Sequence, residues 1–228
     1  MIMEAGVWPI VLLSLRVAGI AIIVALPVAF LVAWILARFD FPGKSLAQAL
    51  VTMPLVLPPV VTGYLLLLLF GARGAFGAPL QEWFGLSFSF RWTGAALAAG
   101  VMAFPLLVRP IRLSIEGLDR GLEEAARTLG ASRLMAFFTV ILPPLLPGVL
   151  AGAVLGFAKA LGEFGATITF VSNIPGETQT LSLAIYALMQ TPSGDAEAFR
   201  LIAISAAISI IAVVLSEWLQ RRLTGGVK

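Results

Sequence analysis

Apolar residues run along this chain in long blocks with few charges, broken by short polar stretches. The blocks cover residues 10–37, 46–70, 93–115, 134–160 and 199–220. Each approaches or exceeds the roughly 20 residues that a helix needs to cross a hydrocarbon core. A strand of a membrane barrel alternates apolar and polar positions, and these blocks do not. With no water to satisfy the backbone in lipid, each block is helical. The pattern predicts an all-α integral membrane protein with five transmembrane helices, forming one domain over residues 1–228. Span three is expected to continue as helix past the membrane. Residues 161–197 are expected on the external side, with 178–191 as a partly re-entrant or surface helix. A sixth span there would carry Arg221 and Arg222 outward.

Prolines punctuate the spans. The block Met53-Pro54-Leu55-Val56-Leu57-Pro58-Pro59 is dense enough to break span two. Such prolines serve either kinked packing or bending around a pathway.

Composition agrees with this picture. Of the 228 residues, 60% are hydrophobic and 12% charged, where a soluble domain carries about 25% charged residues. There is no cysteine and no histidine, which excludes thiol chemistry and the commonest metal ligand. The N-terminal residues Met1 to Pro9 carry Glu4 and no Lys or Arg, unlike the basic start of a cleavable signal.

The placement of charge sets an orientation. Arg38, Lys44, Arg109, Arg112, Arg120, Arg127, Arg133, Arg221, Arg222 and Lys228 all fall on one side of a five-span chain. Arg73, Arg91 and Arg200 fall on the other, while Arg16 and Lys159 lie in spans or at their ends. The positive-inside rule makes the first side cytoplasmic. The N-terminus is then external and the C-terminus cytoplasmic.

The loop over 116–133 carries the clearest motif. Leu122, Ala125, Ala126 and Leu129 stand at i, i+3, i+4 and i+7 and form one apolar stripe. Asp119 suits the start of a helix, Glu123 and Glu124 its positive end, Arg127 its negative end, and Gly130 a left-handed stop. A two-turn amphipathic helix without a core of its own lies either on a membrane surface or in a groove of another protein. The small residues Ala125 and Ala126 favour close docking to protein.

Glu124-Ala125-Ala126, then Gly130, then Leu142-Pro143 resemble the EAA loop of ABC-importer permeases, with Val140 where isoleucine is usual. That resemblance implies a type I importer permease fold. It makes 122–127, Leu129 and Gly130 a coupling helix seated in a separate ATPase subunit. The segment from Phe157 through Lys159, Gly162 and Glu163 to Ala166 resembles sulfate and molybdate permeases. Its continuation Thr167 to Thr178 resembles the bacterial molybdate permeases, as do Phe41-Pro42-Gly43-Lys44 and Met53 to Tyr64. The resemblance covers nearly the whole chain. It implies a homodimeric, inner-membrane importer of molybdate, or tungstate, with sulfate or thiosulfate as the alternative within the family. The implied partners are two ATPase subunits, an extracytoplasmic molybdate-binding protein, a second copy of the chain and membrane lipid, with no nucleic acid.

Lys159 and Glu163 are four apart and can pair on a helix. Ionisable groups at membrane depth face a cavity or a partner, whereas at the interface Lys159 would snorkel and Glu163 would be solvated. Lys159, Glu163, Thr167 and Thr169 are the candidate residues of the translocation path or its gate. Gly148, Gly152 and Gly156 form a small-residue ridge suited to helix packing or a dimer seam, or else to a narrow pore wall.

Gly43-Lys44-Ser45 ends like a nucleotide-binding loop, but Arg38 occupies the position of the first glycine. The expectation is therefore a non-enzymatic chain with no cofactor or metal of its own, driven by ATP and magnesium bound to the partner. A stand-alone secondary transporter would show inverted repeats and paired charges within spans. An intramembrane enzyme would need acid–base groups that the spans lack.

Overall fold

The computed structural model describes residues 6–119, 121–192 and 194–224. Glu4, Arg120 and Lys228, used above, lie outside them. Among the described residues the secondary structure is helical, with no strand.

The first span, α1, is Val7–Arg38. Its 32 residues extend about 48 Å at 1.5 Å per residue, longer than the hydrocarbon core, so its ends stand in the interfaces. The second block is split into α2, Lys44–Val56, and α3, Pro59–Phe70, bent by 114°. The cause is local. Pro58 pushes Leu57 out of the helical region, to ψ 144°, and Pro59 then starts α3 at a position where its missing N–H costs nothing. A short helix that the pattern did not predict, α4 at Gly77–Phe84, follows and leaves Trp83 and Phe84 exposed.

The centre of the molecule is α5, Trp92–Glu116. Ala95, Ala98, Ala99, Ala103, Leu107 and Ile111 are buried along it, and α1 and the later span α7 pack on it. After α6, Gly121–Thr128, the chain re-enters as α7, Arg133–Leu161. This span contains one π-helical turn at Phe137–Ile141. Pro143 and Pro144 have no N–H to return to Thr139 and Val140, and Leu142 N–H instead bonds to Phe137 O. Two short helices, α8 at Gly165–Val171 and α9 at Leu181–Met189, precede the last span, α10, at Asp195–Thr224. Among the described residues four helices are long and apolar enough to cross a membrane, and the bent pair α2–α3 can supply a fifth span.

Two sets of alternatives are narrowed here. Of the partly re-entrant and surface readings of residues 178–191, burial speaks against the surface one. Leu181, Leu183, Ala184 and Leu188 are buried, and α9 packs on α1 and α10. Its first turn is tied to α1, because Leu181 N–H donates to Ser14 Oγ at 2.7 Å while Ser14 donates to Ile10 O. Hydropathy alone does not distinguish a short buried helix from a surface one. The glycine ridge of α7 serves helix packing, the first of its alternatives, since it faces α5 of the same chain. A Cβ on Gly148 would overlap Ser114 Oγ, one on Gly152 would lie 3.0 Å from Leu107 O, and one on Gly156 2.8 Å from Leu107 Cδ2. Glycine permits this approach of the two helices.

Candidate functional site

At one end of α7 lies the short helix α6. Gly121 N–H donates to the Asp119 carboxylate at 2.9 Å and starts it. Glu123 and Glu124 occupy its first turn and Arg127 its last, with the signs that suit the helix dipole. At its end Ala131 N–H bonds to Ala126 O and Gly130 N–H to Arg127 O, with Gly130 at φ +89°. These are the two bonds of a Schellman stop, in which the left-handed position suits glycine. Nothing in α6 is buried. Leu122 is 43% and Leu129 89% exposed, Ala125 is exposed and Ala126 half-buried. The apolar stripe therefore has no cover among the described residues. α6 rests on the start of α7 and on the π turn. Val140 and Ile141 belong to that turn, and Leu142-Pro143 follow it.

At the other end of α7, about 42 Å away along a helix of this length, stand Lys159 and Glu163. Lys159 Nζ lies 2.5 Å from Glu163 Oε2, and Glu163 Oε1 accepts from Ala166 N–H at 3.1 Å. Glu163 is buried, while the Lys159 side chain retains 30% of its exposure. The carboxylate thus clamps the turn between α7 and α8, with both oxygens engaged, and the lysine is the member that other groups can reach. Of the two earlier alternatives, paired or separately solvated, the geometry gives the pair. The two threonines differ in access, with Thr169 half-buried. Thr167 is buried, and Thr169 Oγ1 donates to Gly165 O on its own helix at 2.9 Å. α8 packs against α3, where a Cβ on Gly63 would lie 2.5 Å from Ala166 O.

The sequence reading missed two polar residues in this region. Thr62, buried on α3, has an Oγ1 with no hydrogen-bond partner among the described residues. Ser14 holds α9 to α1. Neither stands in a local pattern that marks it out. The Gly43-Lys44-Ser45 segment is an ordinary helix start, in which Lys44 pairs with Asp40 at 2.8 Å.

Residues 25–225 match the family described as "Binding-protein-dependent transport system inner membrane component". The "Molybdenum transport system permease protein ModB" of Escherichia coli strain K12 is 56% identical over 97% of this chain and 96% of its own length. Its counterpart in Haemophilus influenzae is 57% identical over 92% of both chains. The "Sulfate transport system permease protein CysT" of Salmonella typhimurium is 38% identical over 86% of this chain and 71% of its own. Among solved structures, a bacterial ABC transporter for alginate import superimposes with a TM-score of 0.73 over 95% of this chain and 79% of that one, at 18% identity. The MetNI methionine ABC transporter gives 0.67 over 97% and 96%, at 16% identity. At such identities the likeness concerns the fold, which is that of ABC-importer permeases. The chain belongs to the family of binding-protein-dependent transport system inner membrane components.

Proposed function

We propose that this chain is the permease subunit of an ATP-driven importer that carries molybdate across the inner membrane. The observation that carries this reading is identity above 55% to two molybdenum permeases across nearly the full length of both chains. The lower identity to the sulfate permease ranks sulfate second.

Two copies form the path, an extracytoplasmic binding protein delivers the oxyanion, and two ATPase subunits supply the energy. The N-terminus is external and the C-terminus cytoplasmic. α6 is the part that meets the ATPase. Its exposed stripe from Leu122 to Leu129 needs a groove in another protein, and its capped ends keep it rigid without one. Movement of α6 is passed to the π turn on which it rests, and along α7 to the Lys159–Glu163 turn. Lys159, neutralised by Glu163, offers a positive charge to a dianion without holding it fast, as conduction requires. In a dimer this charge occurs twice.

The test is uptake of radiolabelled molybdate by cells deleted for their own molybdenum permease and supplied with this chain. Restored uptake that resists excess sulfate supports the reading. Uptake of sulfate with no uptake of molybdate sinks the substrate assignment.

A further inference from the structure

Between α1, α2 and α5 runs an apolar groove of about 680 Å³. One wall is a single ridge of α1, Ile20, Val24 and Val28, spaced four apart. The floor is a ridge of α5, where Ala96 and Gly100 follow Trp92 at the same spacing and Phe104 closes the far end. Leu50 and Pro54 of α2 form the other wall. The recess is not imposed by contact between helices. A Cβ on Gly100 would meet nothing closer than Ala21 O at 3.5 Å.

The same α1 ridge begins one turn earlier with Arg16. Its guanidinium lies 3.8 Å from the centre of the Trp92 ring, at the mouth of the groove, and the side chain is exposed. No carboxylate pairs with Arg16 among the described residues. From Arg16 to Arg38 α1 rises about 33 Å, close to the roughly 30 Å of a hydrocarbon core. The two arginines thus mark its two faces, and Trp92 stands where interfacial aromatics are enriched. From Trp92 to Phe104 the groove runs about 18 Å, the depth of one leaflet.

We propose that this groove is a phospholipid site in the leaflet on the N-terminal side of α1. One acyl chain lies along Ala96 and Gly100, and the phosphate is held by Arg16. The positive charge of Arg16 selects an anionic headgroup such as phosphatidylglycerol. Stacking on Trp92 holds the guanidinium where its planar fork meets phosphate oxygens in two parallel hydrogen bonds.

Native mass spectrometry of the full-length chain in mild detergent, titrated with phosphatidylglycerol or phosphatidylcholine, tests this. The parent is expected to retain one phosphatidylglycerol per chain in preference to phosphatidylcholine. Arg16→Gln should weaken phosphatidylglycerol binding about tenfold and abolish the preference. Val24→Trp should block both lipids, while Ile23→Trp, at an exposed α1 position outside the groove, should change neither. The proposal is overturned if Arg16→Gln and Val24→Trp bind as the parent does. It is equally overturned if Val24→Cys, in a chain with no other cysteine, cross-links to a second copy.

Discussion

Glu163 carries two tasks that a single substitution separates poorly. It neutralises Lys159 and it caps α8, and both oxygens are occupied. Glu163→Gln can keep the bond from Ala166 N–H but not the charge opposite Lys159. It should lower thermal stability by about 1–3 kcal/mol as well as change uptake. Lys159→Met should lower uptake with a smaller loss of stability, because the lysine side chain remains partly exposed. A thermal-shift assay on the purified variants beside uptake in vesicles separates the two effects. Parental uptake by both variants would make the pair a structural clamp only. The spacing of these two residues was legible in the sequence. The burial of Glu163 was not, because it depends on where α7 ends and α8 begins. The glycines of α7 make a sharper case. Gly148→Leu should cost about 1–3 kcal/mol by overpacking against Ser114 and Pro110. Gly19→Leu, at a site with nothing within 4 Å, should be neutral. Equal melting temperatures of the two variants would refute the inward-facing ridge.

Among the elements, α6 was the most legible, because its caps, dipole charges and stripe are all local. Leu129→Ser should leave the permease folded, since that side chain is 89% exposed. It should nevertheless weaken retention of the ATPase during co-purification. Gly130→Val should do the same at an added local cost of about 1–3 kcal/mol, because valine is strained at φ +89°. Undiminished retention in both variants would leave α6 without a partner. The break between α2 and α3 was equally plain from Pro58 and Pro59. By contrast, α4 went unseen because Gly71, Gly74, Gly77 and Gly85 punctuate a stretch without periodicity. The burial of α9 went unseen because part of its cover comes from α1, remote in sequence, and the rest from the way α10 folds back on it. The π turn likewise emerges only when the carbonyls orphaned by Pro143 and Pro144 are counted.

For the whole molecule, the spans were set by hydropathy and the proposed orientation by the distribution of Lys and Arg. Reporters fused after Lys228 and near Gly176 should read cytoplasmic and external, respectively. A cytoplasmic signal at Gly176 would refute the five-span arrangement. The exposed aliphatic face of α10, including Ile210, Ile211, Val213 and Val214, needs lipid or a second copy to cover it, as expected of a chain that acts within an assembly. The central claim is that this assembly moves molybdate at the expense of ATP. Its most direct test is radiolabelled molybdate uptake into proteoliposomes holding this chain, the ATPase and the binding protein. The account predicts uptake that requires ATP and all three components and is strongly reduced by Gly130→Val. Uptake by this chain alone, unaffected by omission of ATP, would contradict it.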